Sequence, residues 1–307
     1  MNKLLTELQE AIGVVCVKTG EPMSLHTSMQ VGGDAEYYLC PDGERSLIRV
    51  VKLLAKRQIP CCIVGKGTNI IVRDGGVKGA VVEIGKGLDA IGFDPGNNEM
   101  TAGAGAALAA AAKQASEAGL SGLEPLSGIP GTIGGALYMN AGAYGGEMSG
   151  VVLRARVYDS AADTVKTMTG EEMRLGYRSS VFQTARSAII LSVTFGLRRG
   201  DGMTIKAEMR KLAMQRNAKQ PMDMPSAGSF FKRPVGAYAG VLIEEAGLKG
   251  LSSGGAQVSE KHAGFIVNTG KAKAADVLSL MRTVQESVRK NSGYDLEPEP
   301  RIIGEDI

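Results

Sequence analysis

Between Gly122 and Gly146 the chain reads GLEPLSGIPGTIGGALYMNAGAYGG, and this stretch narrows its possible folds more than any other. Gly122, Gly128, Gly131, Gly134, Gly135, Gly142, Gly145 and Gly146 fall here, with Pro125 and Pro130 between them. Glycine is costly in backbone entropy, so a dense run is kept where the backbone adopts left-handed conformations or presses against something. Ile129, Ile133, Leu137 and Met139 distinguish it from a flexible linker. The stretch reads as an ordered loop and short helical turns whose N–H groups face an anion. Each charge-assisted N–H bond of that kind contributes roughly 1.5–3 kcal/mol. The structural alternative is a tight turn without a ligand. Asn140 and Tyr144, beside the glycines, favour the first reading.

A chain of 307 residues has room for two or three domains and a sizeable core. Its 44% apolar and 22% charged residues are those of a soluble globular protein. The net charge of +3 is small and the basic residues are dispersed, so composition gives no support to nucleic-acid binding. The absence of Trp and the 5% aromatic content argue against base-stacking surfaces. Cys16, Cys40, Cys61 and Cys62 form no CxxC pair, and Cys61–Cys62 lies in an apolar run. That pattern reads as reduced, strand-buried thiol in a cytoplasmic protein. With only His26 and His262, a His-rich metal site is excluded, and no metal is expected. The N-terminal MNKLLTELQEAIG reads as an amphipathic helix rather than a signal peptide. No apolar run approaches the roughly 20 residues of a membrane helix.

Taken in order, Asn2–Ile12 is predicted helical, with Leu4, Leu5, Leu8 and Ile12 on one face. A turn at Gly32–Gly33 precedes a strand at Ala35–Leu39, and Arg45–Arg57 is helical. A buried strand at Cys61–Val64 runs into Gly65-Lys66-Gly67-Thr68-Asn69, followed by strands at Ile70–Arg73 and Ala80–Ile84 around the turn Asp74-Gly75-Gly76. A Gly-x-Gly turn at a strand's carboxyl end suits phosphate. It is neither a P-loop nor a Rossmann fingerprint, since GxxxxGK[ST] is absent and a strand rather than a helix follows; a structural turn is the alternative.

Strands are predicted at Leu88–Phe93 and Glu99–Ala104 around Asp94-Pro95-Gly96-Asn97-Asn98, then a helix over Gly105–Ala118 ended by Gly119. Gly103-Ala104-Gly105 before that helix is better explained by tight packing on a sheet than by a dinucleotide. Strands follow at Val151–Asp159, Thr164–Met168 and Ile189–Leu197, with Gly200–Asp201 as a domain boundary. Met203–Lys219 reads as a helix with its basic residues on a solvated outer face. Met222–Pro234 contains a Ser-Ala-Gly-Ser turn in which Ser226 and Ser229 are cap or turn residues on spacing alone. Without GxSxG or a nearby His, neither is a hydrolase nucleophile. A helix at Tyr238–Ala246, short strands at Gln257–Val258 and Phe265–Val267, a helix at Ala274–Lys290 and an extended LEPEPRIIG end the chain.

Six stretches in order, HTSMQVGGDAEYYLCP, GKGTNIIV, LSGIPGTIGGALYMNAGAYG, GYRSSVF, SAGSFFKRP and LEPEPRIIG, cover essentially the whole chain. Together they resemble the UDP-N-acetylenolpyruvoylglucosamine reductase family, in its compact form without a long insertion. The resemblance implies an α+β chain with an FAD-binding fold of the vanillyl-alcohol-oxidase type in two subdomains, plus a C-terminal α+β substrate-binding domain. The expected division is 1–84 and 85–200 for the subdomains and 201–296 for the substrate domain, with 297–307 returning to the first. The implied activity is NADPH-dependent, FAD-mediated reduction of a UDP-sugar enolpyruvyl ether to UDP-N-acetylmuramate for peptidoglycan, in the cytoplasm, without nucleic acid or membrane. A monomer is compatible with it.

The motif match implies that Gly65, Lys66, Gly67, Thr68, Asn69 and Ile70 line the FAD pyrophosphate. It implies that Ser127, Gly128, Ile129, Gly131, Gly134, Gly135 and Asn140 hold the rest of the flavin nucleotide. Binding is non-covalent, since neither histidine lies in the glycine-rich stretch. Ser229 matches the family's proton donor, and Arg178 and Glu299 match groups that stabilise the developing enediolate. Taken without the family, Arg178 is a surface ion-pair residue and Glu299 an exposed strand carboxylate. Tyr144, Lys232 and Gln257 are candidate substrate contacts. Two departures stand out: Pro300 follows Glu299 where an aliphatic residue is common, and Arg233 stands where many relatives have Asn. Proline removes an N–H and restricts the residue before it, which bears on how Glu299 is presented. The rival readings are an FAD-dependent oxidase of the same fold and a non-enzymatic nucleotide-binding module.

Overall fold

The computed structural model describes residues 3–94 and 96–306. The predicted helix start at Asn2, Pro95 of the 94–98 turn and residue 307 of the final segment lie outside the described residues. The chain divides into two compact units, Met1–Lys18, Tyr38–Lys66 and Ala80–Gln215 in the first, and Thr19–Tyr37, Gly67–Gly79 and Arg216–Ile307 in the second.

In the first unit, helices α1 (Lys3–Ile12) and α2 (Glu44–Lys56) pack together, with the Arg57 guanidinium bonded to Glu7. Leu47, Val50, Val51 and Leu54 recur at three- and four-residue spacing and are all buried. Each such side chain contributes roughly 1.5–3 kcal/mol. Cys61–Val64 pairs in parallel with Ala80–Glu83 at one edge of a four-stranded sheet. That edge position corrects the buried-strand reading: with a neighbour on one side only, Cys61 is exposed and Cys62 half-buried. A strand the sequence reading missed, Val17–Pro22, lies at the opposite edge.

The larger sheet of this unit is antiparallel, in the order Thr164–Thr169, Val152–Asp159, Ala188–Gly196, Glu99–Gly103, Ile91–Asp94. Ala188–Gly196 is its middle strand and almost continuously buried. The predicted strand at Leu88 begins only at Ile91, because Leu88 N–H closes a turn on Gly85 O at 3.1 Å and Gly105 N–H takes Leu88 O at 2.9 Å. The same bond delays helix α3, which spans Leu108–Glu117 rather than starting at Gly105. Ala111, Ala112 and Ala115 of α3 are buried, which accounts for its small residues. Helix α4 (Ile133–Tyr138) lies within the glycine-rich stretch and packs on the two strands Glu99–Gly103 and Ala188–Gly196.

Helix α5 (Gly202–Lys219) carries exposed Lys206, Arg210, Lys211 and Lys219, but Arg216 is buried, contrary to a wholly solvated basic face. Ile205, Leu212 and Arg216 share one stripe of the helix, so position overrides charge there.

The second unit holds a four-stranded antiparallel sheet in the order Ser226–Ser229, Phe265–Asn268, Ala256–Val258, Ser252–Ser253. Helices α6 (Ala239–Glu245) and α7 (Ala274–Ser292) share its core, where Phe230, Ile243, Val258, Ile266, Val277 and Val284 are buried. Ser226–Ser229 is a bulged strand, not the predicted turn. Gly228 at φ +80° takes up the bulge, letting Ser226 pair with Val267 and Ser229 with Phe265. Arg301–Ile303 pairs in parallel with Ile70–Val72. Asp74, in the turn after that strand, caps α7 by accepting the N–H groups of Ala274 and Ala275, both at 2.8 Å.

Candidate functional site

In the first unit the two glycine motifs meet at Thr132. This residue is buried at the N-cap of α4, and its Oγ1 accepts Gly135 N–H at 3.3 Å. A Cβ on Gly65 would lie 2.4 Å from that same Oγ1, so residue 65 must be glycine for the loop to seat there. Sequence reasoning passed over Thr132, although a threonine followed at once by an apolar helical turn is an N-cap signal.

The glycine-rich stretch is anchored from below. Ile133 N–H donates to Ala106 O at 2.9 Å, Gly134 N–H to Ala104 O at 2.8 Å, and Leu108 N–H to Gly131 O at 3.2 Å. Gly128, Pro130, Gly135 and Lys66 are exposed, and Ile129 and Gly131 half-buried. Ser127 Oγ donates to Glu124 O at 2.7 Å, and could serve a phosphate only by turning its O–H away from that carbonyl. Side-chain-poor exposed backbone near a serine hydroxyl and a lysine fits a phosphate-bearing cofactor.

Asn140 is different. It is fully buried, with Nδ2 donating to Gly176 O at 2.9 Å and Oδ1 accepting Ser149 N–H at 2.9 Å. Arg178 lies two residues beyond Gly176, in a tight turn closed by reciprocal Gly176–Ser179 backbone bonds of 3.1 Å. Its guanidinium donates to Gly142 O at 3.0 Å, and its Cζ is 5.3 Å from the centre of the Tyr177 ring. Tyr144, exposed and at φ +52°, stands in the neighbouring turn after Gly142.

In the second unit, Gly67 at φ +62° comes so close to His26 that a Cβ would lie 1.9 Å from its carbonyl oxygen. Gly67 therefore packs directly on the start of the HTSMQVGG motif. Ser28 N–H donates to Gly67 O at 3.1 Å, and His26 Nε2 and Glu21 Oε1 are 2.7 Å apart. Thr68 and Ile70 are half-buried, and Ile70 starts the strand paired with Arg301.

Ser229 and Glu299 are brought together by main-chain bonds. Glu299 N–H donates to Phe230 O at 2.9 Å, and Phe231 and Pro298 form an isolated bridge. From the other side Asn69 Nδ2 donates to Glu299 O at 3.3 Å and Asn69 O accepts Arg301 N–H at 3.0 Å. Ser229 is exposed and Glu299 half-buried. The bonds that place Glu299 use the N–H groups of residues 299 and 301 and the Asn69 amide, so Pro300 costs none of them.

Lys232 Nζ donates to Glu297 Oε1 at 2.5 Å. Arg233 stacks over Tyr238, with Cζ 4.4 Å from the ring centre. Gln257 pairs with Val267 in the same sheet as Ser226–Ser229, and its Nε2 donates to Gly250 O at 3.3 Å. Among the described residues no group of three or more His, Cys, Asp and Glu is arranged to hold a metal ion, and no helix is long and apolar enough to cross a membrane.

Residues 35–168 match the family model described as "FAD binding domain", and residues 220–303 match "UDP-N-acetylenolpyruvoylglucosamine reductase, C-terminal domain". A solved 4-ethylphenol oxidase from Gulosibacter chungangensis shares the fold at TM-score 0.51 and 14% identity, covering 64% of this chain and 42% of that one. Fold and glycine loops thus define an FAD-binding protein of the vanillyl-alcohol-oxidase type with an added C-terminal α+β domain.

The UDP-N-acetylenolpyruvoylglucosamine reductase of Agathobacter rectalis is 47% identical, over 99% of this chain and 98% of its own length. That of Geobacillus kaustophilus is 43% identical over 99% of both. The solved UDP-N-acetylenolpyruvylglucosamine reductase from Thermus caldophilus superposes at TM-score 0.79 with 33% identity, covering 93% of this chain and 97% of that one. The chain belongs to the UDP-N-acetylenolpyruvoylglucosamine reductase family.

Proposed function

We propose that Ser229, Glu299 and Arg178 carry the second half of an NADPH-dependent reduction of UDP-N-acetylglucosamine enolpyruvate to UDP-N-acetylmuramate. FAD, bound non-covalently, supplies the hydride carrier between NADPH and the enol ether. Gly65, Lys66, Gly67, Thr68, Asn69 and Ile70 would hold its pyrophosphate, and Ser127, Gly128, Ile129, Gly131, Gly134 and Gly135 the rest of the nucleotide. Asn140 supports that site from beneath, since both ends of its amide are already bonded to the protein.

Once the enol-ether β-carbon has received hydride, the α-carbon holds an electron pair delocalised into the carboxylate. Ser229 O–H donates a proton to that carbon and recovers one from water. Serine is a weak acid, but such a carbon is a far stronger base than an alkoxide. The carboxylate meanwhile takes on enediolate charge, which Arg178 N–H groups and a protonated or hydrogen-bonded Glu299 stabilise. Losing one preorganised donor of this kind costs roughly 10²–10³ in rate. Lys232, Tyr144 and Gln257 are assigned to the substrate's carboxylate or diphosphate.

The observation that carries this reading is the bond from Glu299 N–H to Phe230 O, which holds the segment bearing the Glu299 carboxylate against the residue that follows Ser229. The rest of the reading follows from the family. In this reading the reaction runs in the cytoplasm without nucleic acid or membrane, and a monomer is compatible with it. The chain is read as FAD subdomains 1–84 and 85–200 and a substrate domain 201–296, with 297–307 returning to the first. The parallel pairing of Arg301–Ile303 with Ile70–Val72 supports that return.

Rapid mixing tests the assignment. Ser229→Ala should keep flavin reduction by NADPH and lose flavin reoxidation by the enolpyruvyl sugar nucleotide. Equal loss of both half-reactions would remove Ser229 from its role, and failure of NADPH to reduce the wild-type flavin anaerobically would favour an oxidase of the same fold.

A further inference from the structure

Arg178 sits where a side-chain-bearing residue does not settle unaided. Its φ is +51°, in the left-handed region that Cβ disfavours. Its turn is two residues long, and its guanidinium donates to Gly142 O at 3.0 Å. Something besides local propensity must hold the backbone there.

Two amides do so, one at each end of the turn. Gln183 Nε2 donates to Arg178 O at 3.0 Å and to Tyr138 O at 3.1 Å. Asn140 Nδ2 donates to Gly176 O at 2.9 Å. Both amides are locked in orientation: a flipped Gln183 would aim an oxygen at two carbonyls, and a flipped Asn140 would aim nitrogen at the Ser149 N–H. Ser180 Oγ ties the following residue to the same Tyr138 O at 2.6 Å. The carbonyl at the end of α4 is therefore the fixed point to which the Arg178 segment is sewn. Asn140 is itself left-handed, at φ +42°, and completely buried. Substrate contact and flavin contact explain neither amide; a clasp on the Arg178 turn explains both.

We propose that Gln183 and Asn140 are positioning residues for Arg178, setting its guanidinium against the carboxylate of the enolpyruvyl substrate. The inference rests on the reading of Arg178 given above. A side chain on a strained two-residue turn drifts when either tether is cut, and a misplacement of about 1 Å costs roughly 10²-fold in a preorganised site. The loss belongs to the substrate half-reaction alone.

The test uses the flavin-loaded full chain with Gln183→Leu, Asn140→Asp, Arg178→Ala and the double variant Gln183→Leu/Arg178→Ala. Gln183 is half-exposed, so Gln183→Leu keeps the test open if the buried Asn140→Asp does not fold. In Gln183→Leu flavin reduction by NADPH should stay within about twofold, and in each single variant reoxidation by the sugar nucleotide should slow roughly tenfold to a hundredfold. In the Arg178→Ala background, Gln183→Leu should add no further loss, because the two act as one unit. Without cofactor, trypsin should cut after Arg178 faster in Gln183→Leu than in wild type. Fully additive losses, equal slowing of both half-reactions, or an unchanged cleavage rate would overturn the proposal. If Arg178→Ala alone leaves reoxidation intact, the reading of Arg178 falls and this inference falls with it; if Arg178→Ala is impaired but the losses add, only the inference falls.

Discussion

Asn69 holds the strand of Glu299 twice, giving its side-chain N–H to the Glu299 carbonyl at 3.3 Å and receiving the Arg301 N–H on its own carbonyl at 3.0 Å. The loop assigned to the cofactor's pyrophosphate and the carboxylate assigned to the substrate are thus neighbours through one residue. Asn69→Ala removes the side-chain bond and keeps the main-chain one. A neutral bond of this kind is worth about 0.5–1.5 kcal/mol. The expected outcome is a stable protein with roughly tenfold slower substrate-driven flavin reoxidation, read by rapid mixing. A rate equal to wild type would show that the main-chain bond alone sets Glu299.

Gly65 and Thr132 make a second pair whose contact can be tested by exchange. Gly65→Ala would place a methyl 2.4 Å from Thr132 Oγ1, so something must shift. Overpacking of that sort costs about 1–3 kcal/mol. The companion Thr132→Ala removes the oxygen but also an N-cap, itself worth about 1 kcal/mol. The double variant should therefore be less destabilised than the sum of the two singles in thermal or urea melts. Flavin retention after gel filtration should fall in Gly65→Ala and recover partly in the double variant. Strict additivity would mean the two side chains do not meet.

Much of this was legible in the chain itself. The amphipathic spacing of Leu47, Val50, Val51 and Leu54 marks α2 without any neighbour, and the glycine-rich motifs mark where backbone comes close to backbone. What escaped the sequence was set by distant partners. Cys61 reads as buried because its run is apolar, yet exposure was decided by its strand's place at a sheet edge. Ser226–Ser229 reads as a turn because Ser, Ala and Gly favour turns; a bulge at Gly228 and pairing with Phe265–Asn268 made it a strand. Thr132, Gln183 and the tether on Asn140 carry no local signal strong enough to name their partners. The family motifs located Ser229 and Glu299, while the Glu299 N–H to Phe230 O bond that joins them spans 69 residues of sequence.

Asp74 caps α7 from 200 residues away, each carboxylate oxygen taking one N–H at 2.8 Å. A carboxylate at a helix N-terminus gains from both the hydrogen bonds and the helix dipole. Asp74→Ala should destabilise the protein by about 1–2 kcal/mol, read as a lower urea midpoint with unchanged slope. Asp74→Ser, which can still accept one N–H, should recover part of the loss. Equal midpoints for wild type and Asp74→Ala would show that the α7 terminus is satisfied without it.

His262 gives the fold a definite pH response. Its ring packs edge-on against Phe265, with centres 5.0 Å apart, and its Nδ1 accepts the Gly264 N–H at 3.1 Å. Burial pushes its pKa below the usual 6.5, since desolvation penalises the imidazolium. The accepted N–H agrees with that direction, because an Nδ1 that carries a proton cannot accept. A lowered pKa in the folded chain means the unfolded chain binds protons more readily between the two values. Stability from the neutral ring is therefore complete above pH 6.5 and is lost as pH falls from there towards the folded-state value. Urea melts across that window should show wild type weakening with acid more steeply than His262→Asn, which keeps an acceptor and does not titrate. Parallel pH profiles for the two proteins would assign the acid sensitivity to other groups.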